Sequence, residues 1–274
     1  MIEVSVIVTT KNEEKHIENC LSSVKEQDFS EEDIEIIVVD NKSTDRTKEI
    51  ALKYTTNVFD LGPERSAQRN FGIIKSLGKY VLYIDADMIL SQNVVSKCFS
   101  YCEKEEFIAL YIPENIVGNS FWIKARRFER SFYDATVIDC VRFVRKDKFL
   151  EVGGFEESLT GPEDWDFDRR IRARGKVGIV QSVINHDEGE FNFKGYFKKK
   201  NYYCKSFGNY IKKWGKDDSE VKKQLGFYYR FIQVYTENGK WKKVLMHPIL
   251  TIGMFCLRFL VGVNYLVIKK GVNN

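Results

Sequence analysis

The chain has 274 residues, of which 43% are apolar and 30% are charged. These proportions exclude a disordered chain and indicate one large domain with an appendage, or two small domains. The net charge of +4 conceals an asymmetry, because residues 194–274 carry 17 Lys and Arg against 4 Asp and Glu, whereas residues 1–193 carry 26 against 35. The basic C-terminal part therefore predicts an anionic partner.

The first half of the chain alternates apolar β-branched runs with segments of helical spacing. Residues 4–10 and 34–40 are apolar on both faces, and residues 13–27 between them have the apolar spacing of a helix. A strand, a helix and a second strand at this spacing predict a βαβ unit and hence a parallel sheet. Further helices are predicted over 44–54, 65–76, 119–133 and 163–174, and further strands near 57–60, 80–84, 139–144 and 177–183. The pattern predicts an α/β fold with a mostly parallel central sheet flanked by helices.

Polar side chains follow the predicted strands at 9–13, at 40–43 and at 85–87. In open α/β sheets the ligand lies beyond the carboxyl ends of the strands, so these side chains are expected to share one edge. Asp85 and Asp87 directly follow a buried run, where carboxylates need a cation or strong donors close by. Such oxygen ligands suit Mg²⁺ or Mn²⁺, which in turn suit a substrate diphosphate. A polar turn after a strand is the alternative for this triplet.

Six short segments stand in a recognisable order along the chain: 8–14, 38–47, 69–73, 83–87, 153–157 and 161–167. This is the order seen in family 2 glycosyltransferases, which the chain resembles over about residues 3–190. These enzymes have the GT-A fold, use nucleotide-sugars and invert the anomeric centre, and the resemblance implies the same here. Lys11 replaces an aromatic residue of the family pattern, which leaves the identity of the base less secure.

The nucleotide is expected on the loops after the first two strands. Thr10, Asn12 and Glu13 are candidates for lining the base and ribose. Asp40 could accept a hydrogen bond from a base N–H, and Lys42 is a candidate contact for ribose or phosphate. For the segment that begins at Asp40, a helix cap with a polar turn is the alternative.

The diphosphate and its metal ion are expected at the end of the strand over 80–84. Asp85 is expected near the ribose or the metal, and the resemblance makes Asp87 the better ligand for Mg²⁺ or Mn²⁺. Arg69 could contact the diphosphate or pair with a carboxylate, with a solvated basic helix face as the alternative. His186, which follows the last predicted strand, is a candidate metal or phosphate contact, although a lone His is usually structural.

Asp164 is the candidate general base, since the segment 161–167 matches the family motif. An inverting transfer needs one carboxylate to take the proton of the acceptor hydroxyl, an assistance typically worth about 10²–10⁴-fold in rate. The alternative is that Asp164 and its neighbour Glu163 only cap a helix.

The boundary between a GT-A domain at 1–193 and an extension at 194–274 is predicted where the composition changes to Lys, Tyr and Phe. Lysines interleaved with aromatic residues are typical of a membrane-surface helix. Residues 249–268 form an apolar stretch interrupted by Arg258, which favours a helix in the interface or a packed hairpin over a full crossing. A helix of the soluble core is the remaining alternative.

These features together predict a peripheral or monotopic glycosyltransferase at the cytoplasmic face of the cell membrane. The six cysteines are scattered without CxxC pairs, which indicates reduced thiols. The expected donor is a UDP-sugar, and the expected acceptor is lipid-linked, such as a polyprenyl phosphate, with no nucleic acid as partner. Two alternatives remain: a Mg²⁺-dependent nucleotidyltransferase, and a non-catalytic module that binds membrane or nucleic acid.

Overall fold

A computed structural model describes the backbone of residues 1–272 and the side chains of residues 1–264. The strands are β1 Val4–Thr10, β2 Ile34–Asp40, β3 Val58–Asp60, β4 Tyr80–Asp85, β5 Met88–Leu90, β6 Ala109–Tyr111, β7 Glu114–Ile116, β8 Phe143–Arg145, β9 Val177–Ile179 and β10 Ile184–His186. The helices are α1 Ile17–Lys25, α2 Thr47–Ala51, α3 Arg65–Lys75, α4 Val94–Glu105, α5 Phe121–Arg130, α6 Lys146–Glu151, α7 Glu163–Arg172, α8 Phe193–Cys204, α9 Phe207–Trp214, α10 Ser219–Leu225, α11 Val234–Thr236, α12 Trp241–Met246 and α13 Pro248–Val272.

The larger sheet has the strand order β3-β2-β1-β4-β8-β6-β9. Its neighbours β3, β2, β1 and β4 run parallel, as do β6 and β9, while β8 runs antiparallel to both β4 and β6. The predicted α/β class with a mostly parallel central sheet is confirmed. This arrangement brings the carboxyl ends of β1, β2 and β4 to one edge.

Strand β1 lies at the centre of the core, and all seven of its residues are buried. Val6 and Val8 face Leu21 of α1 on one side of the sheet, whereas Ile7 packs with Ile73 of α3 on the other. Burying a Val or Ile side chain contributes about 1.5–3 kcal/mol, so a strand buried on both faces anchors the sheet. The continuous apolar run in the sequence reflects this double burial.

A second sheet of three strands, ordered β5-β10-β7, forms beside the first. Strand β10 pairs antiparallel with β5, which places His186 opposite Met88 and next to Asp87. The prediction of one last strand over 177–183 with His186 beyond it was wrong in this detail, because β9 ends at Ile179 and His186 lies on a separate strand. Pairing with β5 fixes His186 beside the end of β4.

The helices after residue 193 pack against the rest of the chain. Arg169 of α7 forms two hydrogen bonds of 2.8 Å with Asp218. Arg258 of α13 is buried and donates to Glu129 of α5 over 2.7 Å. A buried Arg requires such a partner, so its position in the apolar stretch marks the face of α13 that contacts α5.

None of the helices in the described part of the chain is both long enough and apolar enough to span a bilayer. The predicted apolar stretch over 249–268 falls within α13, and residues 265–268 lie outside the described side chains.

Candidate active site

A cavity of about 480 Å³ opens at the carboxyl ends of β1 and β4. It is bounded by the start of α3, by the start of α7 and by one face of α8. The predicted site residues that line it are Thr10, Glu13, Arg69, Asp85, Asp87, Asp164 and His186. The fold therefore brings together the carboxylates expected for the metal and for proton transfer.

Asp85 ends β4 and is held by three donors. Thr9 donates to its Oδ1 over 2.9 Å, and the guanidinium groups of Arg65 and Arg69 each lie 3.2 Å from the carboxylate. Burial alone would raise the pKa of Asp85, but Arg65 and Arg69 outweigh it and hold the pKa well below its usual range. Asp85 is thus a fixed anion that positions two arginines at the cavity floor.

Arg69 is only 1% exposed and connects the two carboxylates at the centre of the site. Its Nη2 bonds Asp85, and its Nη1 donates to Oδ1 of Asp164 over 2.9 Å. The guanidinium also lies over the rings of Tyr83 and Phe155, at 4.9 and 5.3 Å from their centroids. Of the predicted roles for Arg69, pairing with a carboxylate is the one seen here.

Asp87 and His186 form a second pair of side chains on the cavity. Nε2 of His186 lies 3.1 Å from Oδ2 of Asp87, and its Nδ1 lies 3.7 Å from Glu114. Burial opposes the charge on His186, yet Asp87 and Glu114 raise its pKa to about 10. The other carboxylate oxygen of Asp87, Oδ1, is buried without a hydrogen-bond partner among the described residues. An orphaned carboxylate oxygen beside an imidazole fits a divalent cation, which would displace the imidazole proton on binding.

No group of three His, Cys, Asp or Glu side chains arranged to hold a metal occurs in the part of the chain described. Asp87 and His186 would therefore supply two ligands, and oxygens of a bound diphosphate and water would supply the others. Mg²⁺ is commonly bound in this way, through one or two carboxylates and substrate phosphates.

Helix α7 begins with Glu163 and Asp164, whose surroundings differ. Glu163 is 2% exposed, accepts from Arg65 over 3.0 Å, and has a pKa raised by burial and by the charge of Asp164. The Asp164 side chain is 28% exposed and lines the cavity. Asp164 is consequently the more accessible of the two carboxylates at the start of α7.

Gly161 lets the loop before α7 pass close to α8. Its φ is +101°, and a Cβ at this position would lie 2.6 Å from the carbonyl oxygen of Tyr203. Only glycine is free of strain in such a conformation. The glycine of the motif thus sets how closely α8 approaches the start of α7.

Asn12, Asp40 and Lys42 do not line the cavity. The Asp40 carboxylate is fully buried and accepts from the backbone N–H of Ser43 at 2.8 and 3.0 Å, the polar turn named above as its alternative. Asn12 joins the two loops, because its Oδ1 accepts from the Thr44 N–H over 2.8 Å. Lys42 is exposed and has a positive φ of 52°. Their nucleotide-binding roles remain predictions.

The wall formed by α5 and α8 was not anticipated from the sequence. It places Arg126 of α5 and Tyr196, Lys199 and Lys200 of α8 on the cavity, beside Glu188 of the segment between β10 and α8. The composition of α8 predicted a membrane surface, and nothing in that pattern distinguishes lysines facing a cavity from lysines facing lipid. The packing of α8 against the start of α7 shows which of its lysines face the cavity.

Two solved structures share this architecture. Staphylococcus aureus TarS 1–349 in complex with UDP-GlcNAc aligns with a TM-score of 0.59 and 21% identity, covering 93% of this chain and 80% of that chain. The mannosyltransferase PcManGT from Pyrobaculum calidifontis, in complex with GDP-Man and Mn²⁺, aligns with a TM-score of 0.62 and 17% identity, covering 99% and 86%. The fold is that of the GT-A glycosyltransferases.

The sequence assigns the family. The pattern of Glycosyl transferase family 2 matches residues 5–153, more than half of the chain. A glycosyltransferase of Haemophilus influenzae is 36% identical over 257 residues, which cover 76% of each protein. The chain belongs to glycosyl transferase family 2, and the family favours a glycosyltransferase over the two alternatives considered from the sequence.

The curated relative TarS of S. aureus, a poly(ribitol-phosphate) β-N-acetylglucosaminyltransferase, is 32% identical over 122 residues. That alignment covers 41% of this chain and 21% of TarS, so the chain spans about a fifth of that relative.

Proposed function

We propose that the protein transfers a sugar, with inversion, from a nucleotide diphosphate-sugar to a hydroxyl or phosphate of a lipid-linked acceptor at a membrane surface. One observation carries the proposal: the orphaned Oδ1 of Asp87 and the accessible carboxylate of Asp164 line the same cavity. An inverting displacement requires a held diphosphate and a base on opposite sides of the anomeric carbon.

The chain's own residues then divide the work. Asp164 takes the proton of the acceptor oxygen as that oxygen bonds to the anomeric carbon and the bond from this carbon to the diphosphate oxygen breaks. Arg69 orients Asp164 through their 2.9 Å contact, and Asp85 holds Arg65 and Arg69 in place. A Mg²⁺ or Mn²⁺ ion held by Asp87 and His186 would neutralise the charge that grows on the leaving diphosphate.

The proposed donor is a UDP-sugar. TarS, 21% identical to this chain, has been crystallised with UDP-GlcNAc, whereas PcManGT, 17% identical, was crystallised with GDP-Man. TarS is also similar to this chain in sequence, with 32% identity over 122 residues. This similarity favours uridine over guanosine as the nucleoside of the donor. Thr10 supports a nucleotide at this edge, because its hydroxyl is buried on the cavity wall without a partner in the described residues.

An apolar stripe on α13 supports the membrane part of the proposal. Ile249 and Ile252 are each 70% exposed, Phe259 is 66% exposed, and Cys256 and Val263 continue the same line. The stripe is about 21 Å long at 1.5 Å per residue. The charged residue of this segment, Arg258, faces α5.

This geometry suits a helix that lies in the membrane interface with its inner face on the protein. Leu245, Met246 and Trp241 of α12 are also exposed, beside the exposed Lys242. Aromatic and lysine side chains next to an apolar face are typical of the headgroup level. We propose the cytoplasmic face of the membrane as the protein's location, which the six free cysteines support.

A thermal-shift experiment on the full chain tests the donor proposal. UDP, GDP, UDP-GlcNAc and GDP-Man would each be added with Mn²⁺, with Mg²⁺ or with a chelator. A uridine nucleotide at about 100 times its Kd, together with a divalent ion, is expected to raise Tm by roughly 5–10 °C. Asp87→Asn should abolish the metal-dependent part, whereas Asp217→Asn, at a residue 78% exposed, should not. Failure of every nucleotide to shift Tm would refute the proposed function.

A further inference from the structure

Three cations, one on α5 and two on α8, lie near the carboxylate of Glu188 on the wall of the cavity. Arg126 binds Glu188 through two contacts of 3.0 Å, and Nζ of Lys199 lies 3.5 Å from the same carboxylate. Lys200 is the third cation and lines the cavity as well. Glu129 also acts on Arg126 and Lys200, but its carboxylate is paired with Arg258 over 2.7 Å. With Arg258 counted, four cations face two carboxylates, so two positive charges remain unbalanced.

Of the three cations in the cluster, Lys200 has the charge that the protein compensates least. Within the described side chains its ammonium makes no hydrogen bond or ion pair, and it lies 5.4 Å from the centroid of the Tyr196 ring, which Arg126 approaches to 4.8 Å. Burial and the charge of Arg126 lower the pKa of Lys200 to about 8. The surroundings of Lys200 thus disfavour its charged form, although Lys200 lies on the cavity wall. A disfavoured charge in such a place is expected where a bound anion compensates it.

The diphosphate of the donor does not account for this cluster. A divalent ion on Asp87 already brings two positive charges to the two negative charges of the diphosphate. The cluster also belongs to α5 and α8, whereas the strand ends that receive the nucleotide belong to β1 and β4. A second anion in the same cavity explains the excess.

An aromatic surface leads outward from the cluster. Tyr196 contacts Phe191, with ring centroids 5.5 Å apart, and Phe191 stacks on Trp122 at 6.1 Å. Trp122 in turn contacts Phe121, which is 42% exposed and lies against Gly253 of α13. An apolar path thus connects the cluster to the helix that carries the exposed stripe.

We infer that Arg126, Lys199 and Lys200 bind a phosphate ester carried by the acceptor, with an attached hydrocarbon chain lying along Tyr196, Phe191 and Trp122. This inference rests on the proposed function, since it assigns the acceptor of that reaction. Charge-assisted hydrogen bonds from Arg and Lys are the usual means of holding a phosphate. The same chemistry would also hold a water-soluble polyol phosphate.

Calorimetry on the full chain, saturated with UDP and Mn²⁺, tests the inference with two probes, farnesyl phosphate and glycerol 3-phosphate. Lys200→Met should weaken the binding of farnesyl phosphate by about tenfold or more, because one charge-assisted bond is lost. Its affinity for UDP should stay within about twofold of wild type. The matched control is Lys198→Met on the same helix, at an exposed position outside the cavity, which should change neither affinity.

The possible outcomes separate cleanly. Tighter binding of farnesyl phosphate than of glycerol 3-phosphate assigns a lipid source, and equal binding assigns a water-soluble source, with the phosphate site supported in both. Wild-type protein that binds UDP but neither phosphate probe refutes the inference and leaves the proposed function intact. A Lys200→Met variant that loses UDP affinity instead assigns the cluster to the donor and also refutes the inference. Absence of any UDP binding refutes the proposed function and, with it, the inference.

Discussion

The guanidinium of Arg69 and the carboxylate of Asp164 form a salt bridge of 2.9 Å that joins α3 to the start of α7. Arg69 is buried and also bonds Asp85, so the proposed base is oriented by the strand end that borders the donor site. The arrangement leaves the second oxygen of Asp164 available to an acceptor hydroxyl, because Arg69 contacts only Oδ1.

Asp164→Asn is expected to lower turnover by about 10²–10⁴-fold without unfolding the protein. The amide oxygen can still accept from Arg69, so the geometry is kept while the proton acceptor is lost. The measurement is the rate of UDP release in the presence of acceptor, with Tm as the check on folding. Asp217→Asn is the control, and wild-type turnover in Asp164→Asn would remove this residue as the base.

Arg69→Met is expected to lower the free energy of unfolding by about 3–5 kcal/mol, because it removes the cation that pairs with the partly buried carboxylates of Asp85 and Asp164. Urea denaturation measures this loss. Arg46→Met provides the comparison, since Arg46 is 65% exposed and its pair with Glu49 is a surface pair worth about 1 kcal/mol or less. Equal losses in the two variants would show that the Arg69 network contributes little to stability.

The acid limb of the stability curve is expected to depend on Asp85. Its pKa in the folded state is depressed by Arg65 and Arg69 against the opposing effect of burial, so its contribution is fully present above its unfolded pKa of about 3.9. That contribution is lost as the pH falls through the folded pKa. Urea titrations between pH 3 and 7 should show a steeper decline for wild type than for Asp85→Asn. Parallel curves would contradict this assignment.

The sequence was sufficient for elements whose signal is local. The buried runs of β1 and β2 and the start of α3 at Arg65 were predicted where they occur. A strand buried on both faces gives a continuous apolar run, and a helix gives apolar residues at helical spacing, so both can be recognised in the sequence. Asp85 and Asp87 could be placed at one edge of the sheet because the ends of parallel strands share it, whereas Asp164 was assigned to the site by the family motif over 161–167.

Features that depend on distant contacts could not be predicted in the same way. His186 lies on β10 because three residues pair with β5, and so short a strand has no readable period. The carboxylate of Asp40 turns back to Ser43, a choice between a ligand and a local turn that the residue types leave open. Lys199 and Lys200 face the cavity because α8 packs beside Gly161, and a run of lysines and aromatic residues carries no information on which face is buried.

The exposed stripe of α13 gives a test of membrane association. Ile252→Glu combined with Phe259→Glu should reduce co-sedimentation with vesicles of anionic phospholipid by about tenfold or more, because charged side chains are costly to bury in a bilayer. Leu77→Glu, at a residue that is 75% exposed and lies two positions after the end of α3, is the matched control. Unchanged sedimentation of the double variant would place the membrane contact elsewhere or exclude it.

Lys200→Met is expected to raise the stability of the ligand-free protein while weakening phosphate binding. The folded-state pKa of Lys200 is about 8, lowered by burial and by Arg126 although Glu129 opposes the shift, whereas its unfolded pKa is about 10.4. The unfolded chain therefore binds the proton more tightly, and the resulting penalty is complete below pH 8 and vanishes as the pH approaches 10.4. Scanning calorimetry at pH 7 should show Tm higher by about 2–4 °C, which corresponds to roughly 1 kcal/mol in a chain of this size. The gain should shrink at pH 10, and a variant less stable than wild type at pH 7 would show that the Lys200 charge is already compensated within the fold.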